Sequence, residues 1–184
     1  MVTQENEISP RLFHPNMKII RCTQNDIVDI LEIYRLATSY QKLKFDIHWP
    51  VFDEQLIKTE IADSHMWKLM LQDRIACIWS ACFSDPQIWE ERNSDPSVYI
   101  HRIATHPDFR GQQLTGRIIQ WAKRFAKLHH KDFIRMDTVG NNIGLIQYYQ
   151  KYGFEFLGLF TLRDTSGLPA HYQKGPVSLF QLRI

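Results

Sequence analysis

The chain has 184 residues, 22 Lys and Arg against 20 Asp and Glu, a formal charge of +2 and 44% apolar residues. That length and balance suit one globular domain able to hide roughly 70% of its unfolded surface, and they exclude wholesale disorder and any global pull toward nucleic acid or an anionic membrane. Cys22, Cys77 and Cys82 form no CxxC pair and the eight histidines show no zinc spacing, so neither a disulfide framework nor a metal centre is expected.

Residues 1–16, with Pro10 and Pro15, read as a loosely held arm, and 17–184 as the domain. The opening residues are polar and acidic, without a signal-peptide core, and no apolar run nears the roughly 20 residues of a membrane span; a cytoplasmic protein is expected. A short strand is predicted over 18–23. Asn25 or Asp26 then caps a helix with Ile27, Ile30, Leu31 and Tyr34 at helical spacing. Trp49-Pro50 breaks it, and a second helix follows over 52–63. Two apolar runs, 66–71 and 74–83, flank Gln72-Asp73 as a hairpin. The stretch 84–97, with Pro86, Pro96 and the run EERNSD, is expected to be a long exposed loop. A strand over 98–105 ends at His106-Pro107. Next comes a helix over 111–128 with Leu114, Ile118, Trp121, Phe125 and Leu128 in one stripe. A strand over 132–139, a helix over 143–152 ended at Gly153, and strands over 154–162 and 177–184 complete the order β-α-α-β-β-β-α-β-α-β-β. That order predicts one mixed sheet covered by helices.

All eight glycines lie at or after position 111, where tight turns or a close approach to a ligand are therefore concentrated. The chemistry-bearing stretch is 99–128, where a strand feeds a turn containing Arg110-Gly111 and a helix follows at once. The unpaired N–H groups and positive dipole end of that helix favour a phosphate or diphosphate. Gly111-x4-Gly116-Arg117-Ile118 falls short of a P-loop, because Ile118 cannot bind the magnesium ion that a hydroxyl would. The basic group Lys123, Arg124, Lys127, His129, His130 and Lys131 reads as a solvated helix end.

The segment Ile103-Ala104-Thr105-His106-Pro107-Asp108-Phe109-Arg110-Gly111-Gln112-Gln113-Leu114-Thr115 resembles the acyl-coenzyme A signature of the GNAT superfamily of N-acyltransferases: a strand, His/Asn-Pro, an aromatic, then R-G-x-G-x-G/A. Gln113 and Thr115 depart from that pattern, which usually has small residues there. The family's N-x6-Y-x3-G-F spacing is kept by Asn142, Tyr149 and Gly153-Phe154, so the resemblance covers roughly 17–184.

The resemblance implies a single α/β domain with a mixed, mostly antiparallel central sheet flanked by about four helices. It implies an acetyltransferase moving an acetyl group from acetyl-CoA to a primary amine of a small molecule or peptide, by direct transfer in a ternary complex, without metal, and homodimerisation by family habit. Ile103, Ala104 and Thr105 would contact the coenzyme arm through their main chain, with one N–H polarising the thioester carbonyl. Arg110, Gly111, Gln112, Gln113, Leu114, Thr115 and Gly116 would wrap the diphosphate, and Asn142 would touch the arm. Tyr149 holds the family's place for the acid that protonates sulfur; an aromatic ring packed on the sheet is the other reading. His101 stands where many members have a Glu, is placed by alternation on the face of Ile103 and Thr105, and is equally a proton acceptor or a half-buried, hydrogen-bonded side chain. Phe45, Trp49 and Phe52 around Asp46, His48 and Asp53, and Trp89 with Glu90-Glu91, would suit a cationic acceptor, although core and solvated-loop roles are the stronger expectation. His171-Tyr172, in the last loop, would lean over the same site. A non-catalytic acyl-CoA-binding sensor is the alternative function.

Overall fold

The computed structural model describes residues 17–184; the expected arm, 1–16, lies outside the described residues. Strand β1 (Met17–Arg21) is the sheet edge, and Thr23 and Asp26 form a capping box into helix α1 (Ile27–Lys44). Asp26 also takes the buried Lys68 ammonium at 2.5 Å, tying the helix start to the sheet. Helix α2 (Glu54–Ala62) starts two residues later than predicted. Asp53 is its N-cap, accepting from Gln55 N at 2.9 Å, and Phe52 drops into the core instead. The hairpin of β2 (Met66–Leu71) and β3 (Arg74–Cys82) turns at Gln72 and Asp73, both with positive φ, which matches the strand twist.

The expected exposed loop at 84–97 is corrected by the structure. It carries a one-turn helix, α3 (Pro86–Trp89), and a 3-10 turn (Glu90–Ser94), with Ile88 and Trp89 buried. One turn is too short for periodicity to announce it. Trp89 lies against Tyr99 and under the Arg135 guanidinium, which is itself buried and held by Asp95 at 2.5 Å and Gln181 at 2.7 Å.

Strands β4 (Ser97–Thr105), β5 (Phe133–Val139), β6 (Glu155–Phe160) and β7 (Val177–Arg183) complete a seven-stranded sheet of order β1-β2-β3-β4-β5-β7-β6. Every pairing is antiparallel except β4 with β5. Helices α4 (Leu114–Leu128) and α5 (Ile143–Gln150) cover one face. Trp121 meets Trp67 and Trp79 there, and Phe125 stacks on Phe83. Leu128, predicted in the α4 stripe, is 73% exposed. Helices α1 and α2 cover the other face through Ile30, Ile33, Tyr34 and Ile57. The mixed α/β class and helix-covered sheet stand as predicted, with one more short helix than the four expected.

Candidate active site

Two local irregularities make the site. First, β4 and β5 pair only at Ser97–Ile100 with Phe133–Met136. Beyond those residues β4 stays with β3 as far as Thr105, and β5 stays with β7 as far as Val139, so the sheet splits between them. Second, Ser80 faces His101 and Ile78 faces Ala104, so two β4 residues stand against one on β3. The extra residue is a bulge, with Arg102 at φ 51°. A non-glycine residue costs about 1–2 kcal/mol in that region. Arg102 is held there by an ion pair with Glu60 of α2 and by the Phe52 ring.

The bulge overturns the alternation argument for His101. It places His101 on the Ala104 side, toward α1 and α2, while Ile103 and Thr105 turn to the α4 side, where Thr105 Oγ1 lies 3.4 Å from Cys77 Sγ. A cavity of about 1120 Å³ passes through the split. Its wall includes His48 and Trp49 from the α1–α2 connection and Leu145 and Tyr149 from α5, so it is reached from both faces of the sheet.

Seven of the thirteen predicted site residues lie in that wall: His101, Ile103, Ala104, Thr105, Arg110, Asn142 and Tyr149. Gly111, Gln112, Gln113, Leu114, Thr115 and Gly116 do not; they continue from Arg110 as the turn into α4. That helix begins at Leu114, three residues later than predicted, because Gln113 is left-handed at φ 55°. This conformation is the physical reason a glycine is favoured there, and here a glutamine bears it. Leu114 points into the core. Gly116 N–H is already bonded to Gln113 O at 3.1 Å, and a Cβ on Gly116 would come within 3.0 Å of the Tyr152 ring, so this glycine serves the packing of α4 on Tyr152. Phe109 of the motif is a buried anchor, and the Arg110 guanidinium lies 4.3 Å from the Tyr40 ring centroid. Asn142 is the N-cap of α5, accepting from Leu145 N at 3.0 Å.

Tyr149 is buried against Phe154 and Phe180, and burial pushes its hydroxyl above the usual tyrosine value, so it stays protonated. His101 lies between two carboxylates that sequence spacing concealed. Its Nδ1 is 3.5 Å from Asp137 on β5, and its Nε2 is 3.7 Å from Asp85 beside α3. Tyr172 donates to the other Asp137 oxygen at 2.7 Å. Burial works against the imidazolium, but the Asp137 carboxylate outweighs it and raises His101 to about 10. Burial also raises Asp85 to about 6, moderated by the charge on His101. Burial lowers His171, in the same wall, to about 4, so it is neutral.

Asp85, His101 and Asp137 also present ligand atoms within 4.8 Å of one another, a set able to hold a divalent cation that the cysteine and histidine spacing did not reveal. The anticipated acceptor-side aromatics divide: Trp49 lines the cavity, Phe52 is core and Trp89 is buried under Arg135. His171 and Tyr172 of the last loop both line it.

The His101 charge has a consequence for stability. Its folded pKa lies above the unfolded value near 6.5, so its contribution is complete below pH 6.5 and is lost as pH rises through 10. The thermal midpoint of the ligand-free protein is therefore expected to fall between pH 7 and 10, by an amount equivalent to a few kcal/mol. In His101→Gln the fall should be shallower, most clearly between pH 7 and 8, below the range in which the Cys22 and Cys77 thiols, raised by burial to about 12, contribute their own fall; an unchanged slope in calorimetry would mean that His101 is not the group responsible.

Among known proteins, residues 30–154 match the model of the Acetyltransferase (GNAT) family. A curated relative, the uncharacterized N-acetyltransferase YesJ of Bacillus subtilis (strain 168), is 35% identical over 83 residues; the match spans 45% of this chain and 44% of that protein, less than half of its length. An acetyltransferase of the GNAT family from Listeria monocytogenes superposes with a TM-score of 0.73 at 21% identity, over 91% of this chain and 95% of its own. The Salmonella typhimurium protein yncA, solved with its cofactor acetyl-CoA, superposes with a TM-score of 0.63 at 16% identity, over 91% and 94%. No helix among the described residues is long and apolar enough to cross a membrane. With the family model matching residues 30–154, more than half of its length, the chain belongs to the Acetyltransferase (GNAT) family.

Proposed function

We propose that this chain transfers an acetyl group from acetyl-CoA to a primary amine by direct attack while both are bound. The observation that carries the proposal is the cavity through the split between β4 and β5, which gives two substrates access to one slot from opposite faces of the sheet. On the α4 side, the unpaired main chain of β4 from Ile103 to Thr105 would take the amide-bearing coenzyme arm, and the 110–116 turn its diphosphate. On the other side, an acidic cluster under an aromatic rim suits a cationic amine.

An aliphatic amine with a pKa of about 10 must lose a proton before it attacks, and the leaving thiolate must gain one. Tyr149 is the proton donor to sulfur, which its protonated state suits. The amine proton goes to the Asp85–His101–Asp137 cluster. The cysteine in the cavity wall, Cys82, lies 3.7 Å from His101 on the acceptor side, and Cys77 is fully buried with burial holding its thiol up near 12, so a covalent acyl-cysteine is not part of the scheme.

Incubation with acetyl-CoA and a panel of polyamines, amino acids and peptides, read by mass spectrometry and by release of free coenzyme thiol, tests this. Acetylated amine and free thiol are expected in equal amounts. Coenzyme binding with no acetylated product would identify an acyl-CoA-binding sensor instead.

A further inference from the structure

We infer that Ile47 is a specificity-determining residue of the acceptor side: it closes the far end of the slot and sets the length of amine that fits. The inference rests on the acetyl-transfer function proposed above.

Ile47 sits midway along the α1–α2 connection, and Gln41 of α1 pins that segment on both sides of it. Gln41 O accepts from Phe45 N–H at 2.8 Å, and Gln41 Oε1 accepts from Trp49 N–H at 2.8 Å. The Trp49 ring is packed against Tyr34 and Phe52, while Phe45 is exposed. Between them Ile47, half-buried in the cavity wall, reaches two glycines on the β5 and β7 side of the split. A Cβ on Gly140 would come within 3.1 Å of Ile47 Cδ1, and one on Gly175 within 3.5 Å, so the side chain rests on bare backbone. Gly140 is left-handed at φ 88°, a conformation that favours glycine and keeps the seat free of a side chain. The seat is braced, because Gly140 N–H donates to Pro176 O at 2.7 Å and Gly140 O accepts from Ser178 Oγ at 2.8 Å. A side chain on a segment pinned at both ends, resting on braced backbone, is a fixed wall.

Its position makes that wall a ruler. Asp137, Thr138, Val139 and Gly140 follow one another along the cavity. Asp137 belongs to the acidic end, 3.5 Å from His101, and Gly140 lies three residues further on. At about 3.3 Å per strand residue, the seat of Ile47 stands about 10 Å along β5 from Asp137. An amine held at the acidic cluster thus has a tail space of that length, ending on the Ile47 methyl. The class that fits is a primary amine with a short apolar tail. A second charge at the tail's end would be pressed against an isoleucine, which is costly.

Kinetics along the linear primary amines from ethylamine to decylamine tests the assignment. In the wild type kcat/KM is expected to rise with tail length and to fall once the tail outgrows the slot. Ile47→Ala should move that fall to longer tails. It should raise kcat/KM for the first excluded amine, relative to the best one, by about 10-fold or more, the size typical of one methylene in an apolar pocket. Ile47→Phe should move the fall to shorter tails, and coenzyme binding by calorimetry shows that each variant is folded. A fall at the same length in both folded variants, or no fall with length in the wild type, would overturn the role of Ile47 and leave the transfer function standing. Acetylation of polyamines or peptides but of none of the series would overturn the tail class. A wild type that binds coenzyme but acetylates no amine of any kind would overturn the function on which the inference rests.

Discussion

Glu60→Ala is expected to destabilise the fold by about 1–3 kcal/mol, read from urea midpoints, the cost typical of leaving a largely desolvated group without its hydrogen-bond partner. The reason lies in the bulge of β4. Arg102 is the extra residue, left-handed at φ 51°, and its side chain is half-buried at the cavity wall, paired with Glu60 of α2 and set against the Phe52 ring. Burial opposes the guanidinium charge, but Tyr34 and Glu60 outweigh it and hold the charge in place. Without Glu60, an unpaired charge remains beside the Tyr34 and Phe52 rings, and the strain at Arg102 loses the contact that offsets it. Replacing both partners at once, as Glu60→Leu with Arg102→Met, should recover most of the stability, since apolar groups of similar volume often match a buried pair. The same double variant should lose amine turnover if the bulge is released, because regular alternation would turn His101 away from Asp85 and Asp137. Full activity in the double variant would show that the ion pair does not set the strand geometry.

How much of this was legible in the sequence differs by element. Long periodic segments such as α1 and α4, and the apolar runs of β2 and β3, announce themselves because one face or both must be buried. The turn after β4 was found through a motif whose glycines reflect backbone needs, and Gln113 bears the left-handed conformation even where the glycine is missing. What stayed hidden depends on single residues out of phase. One inserted residue at Arg102 reverses the face of His101, and no pattern of polar and apolar residues marks it. Asp85 sits in a stretch rich in proline and charge that looks like solvent-exposed loop, yet Ile88 and Trp89 anchor it in the core. Asp137 lies on a half-polar strand, and its nearness to His101 comes from strand pairing across 36 residues of sequence. Arg135, two residues earlier on the same strand, is a fully buried arginine where composition predicts an exposed one.

Tyr149→Phe is expected to lower kcat on the order of 100-fold, the size typical of losing a positioned acid, while leaving coenzyme affinity and stability nearly intact. The ring would keep its packing at 5.2 Å from Phe180 and 6.0 Å from Phe154. Removing the hydroxyl should change stability by no more than about 1 kcal/mol, since no buried partner is left unsatisfied by its loss. Tyr148 supplies the control. It is half-exposed on the preceding position of α5, with its hydroxyl 3.5 Å from Tyr152 instead of in the coenzyme slot, so Tyr148→Phe should turn over as the wild type does. Because burial raises the Tyr149 hydroxyl above its ordinary value near 10, loss of this acid cannot produce an alkaline limb near neutrality in the wild type. A substrate series with better thiol leaving groups sharpens the test: the less the sulfur needs a proton, the smaller the penalty in Tyr149→Phe. A penalty that does not shrink along that series would assign the lost hydroxyl to positioning the thioester, and no penalty at all would leave Tyr149 as a core aromatic with water protonating the thiolate.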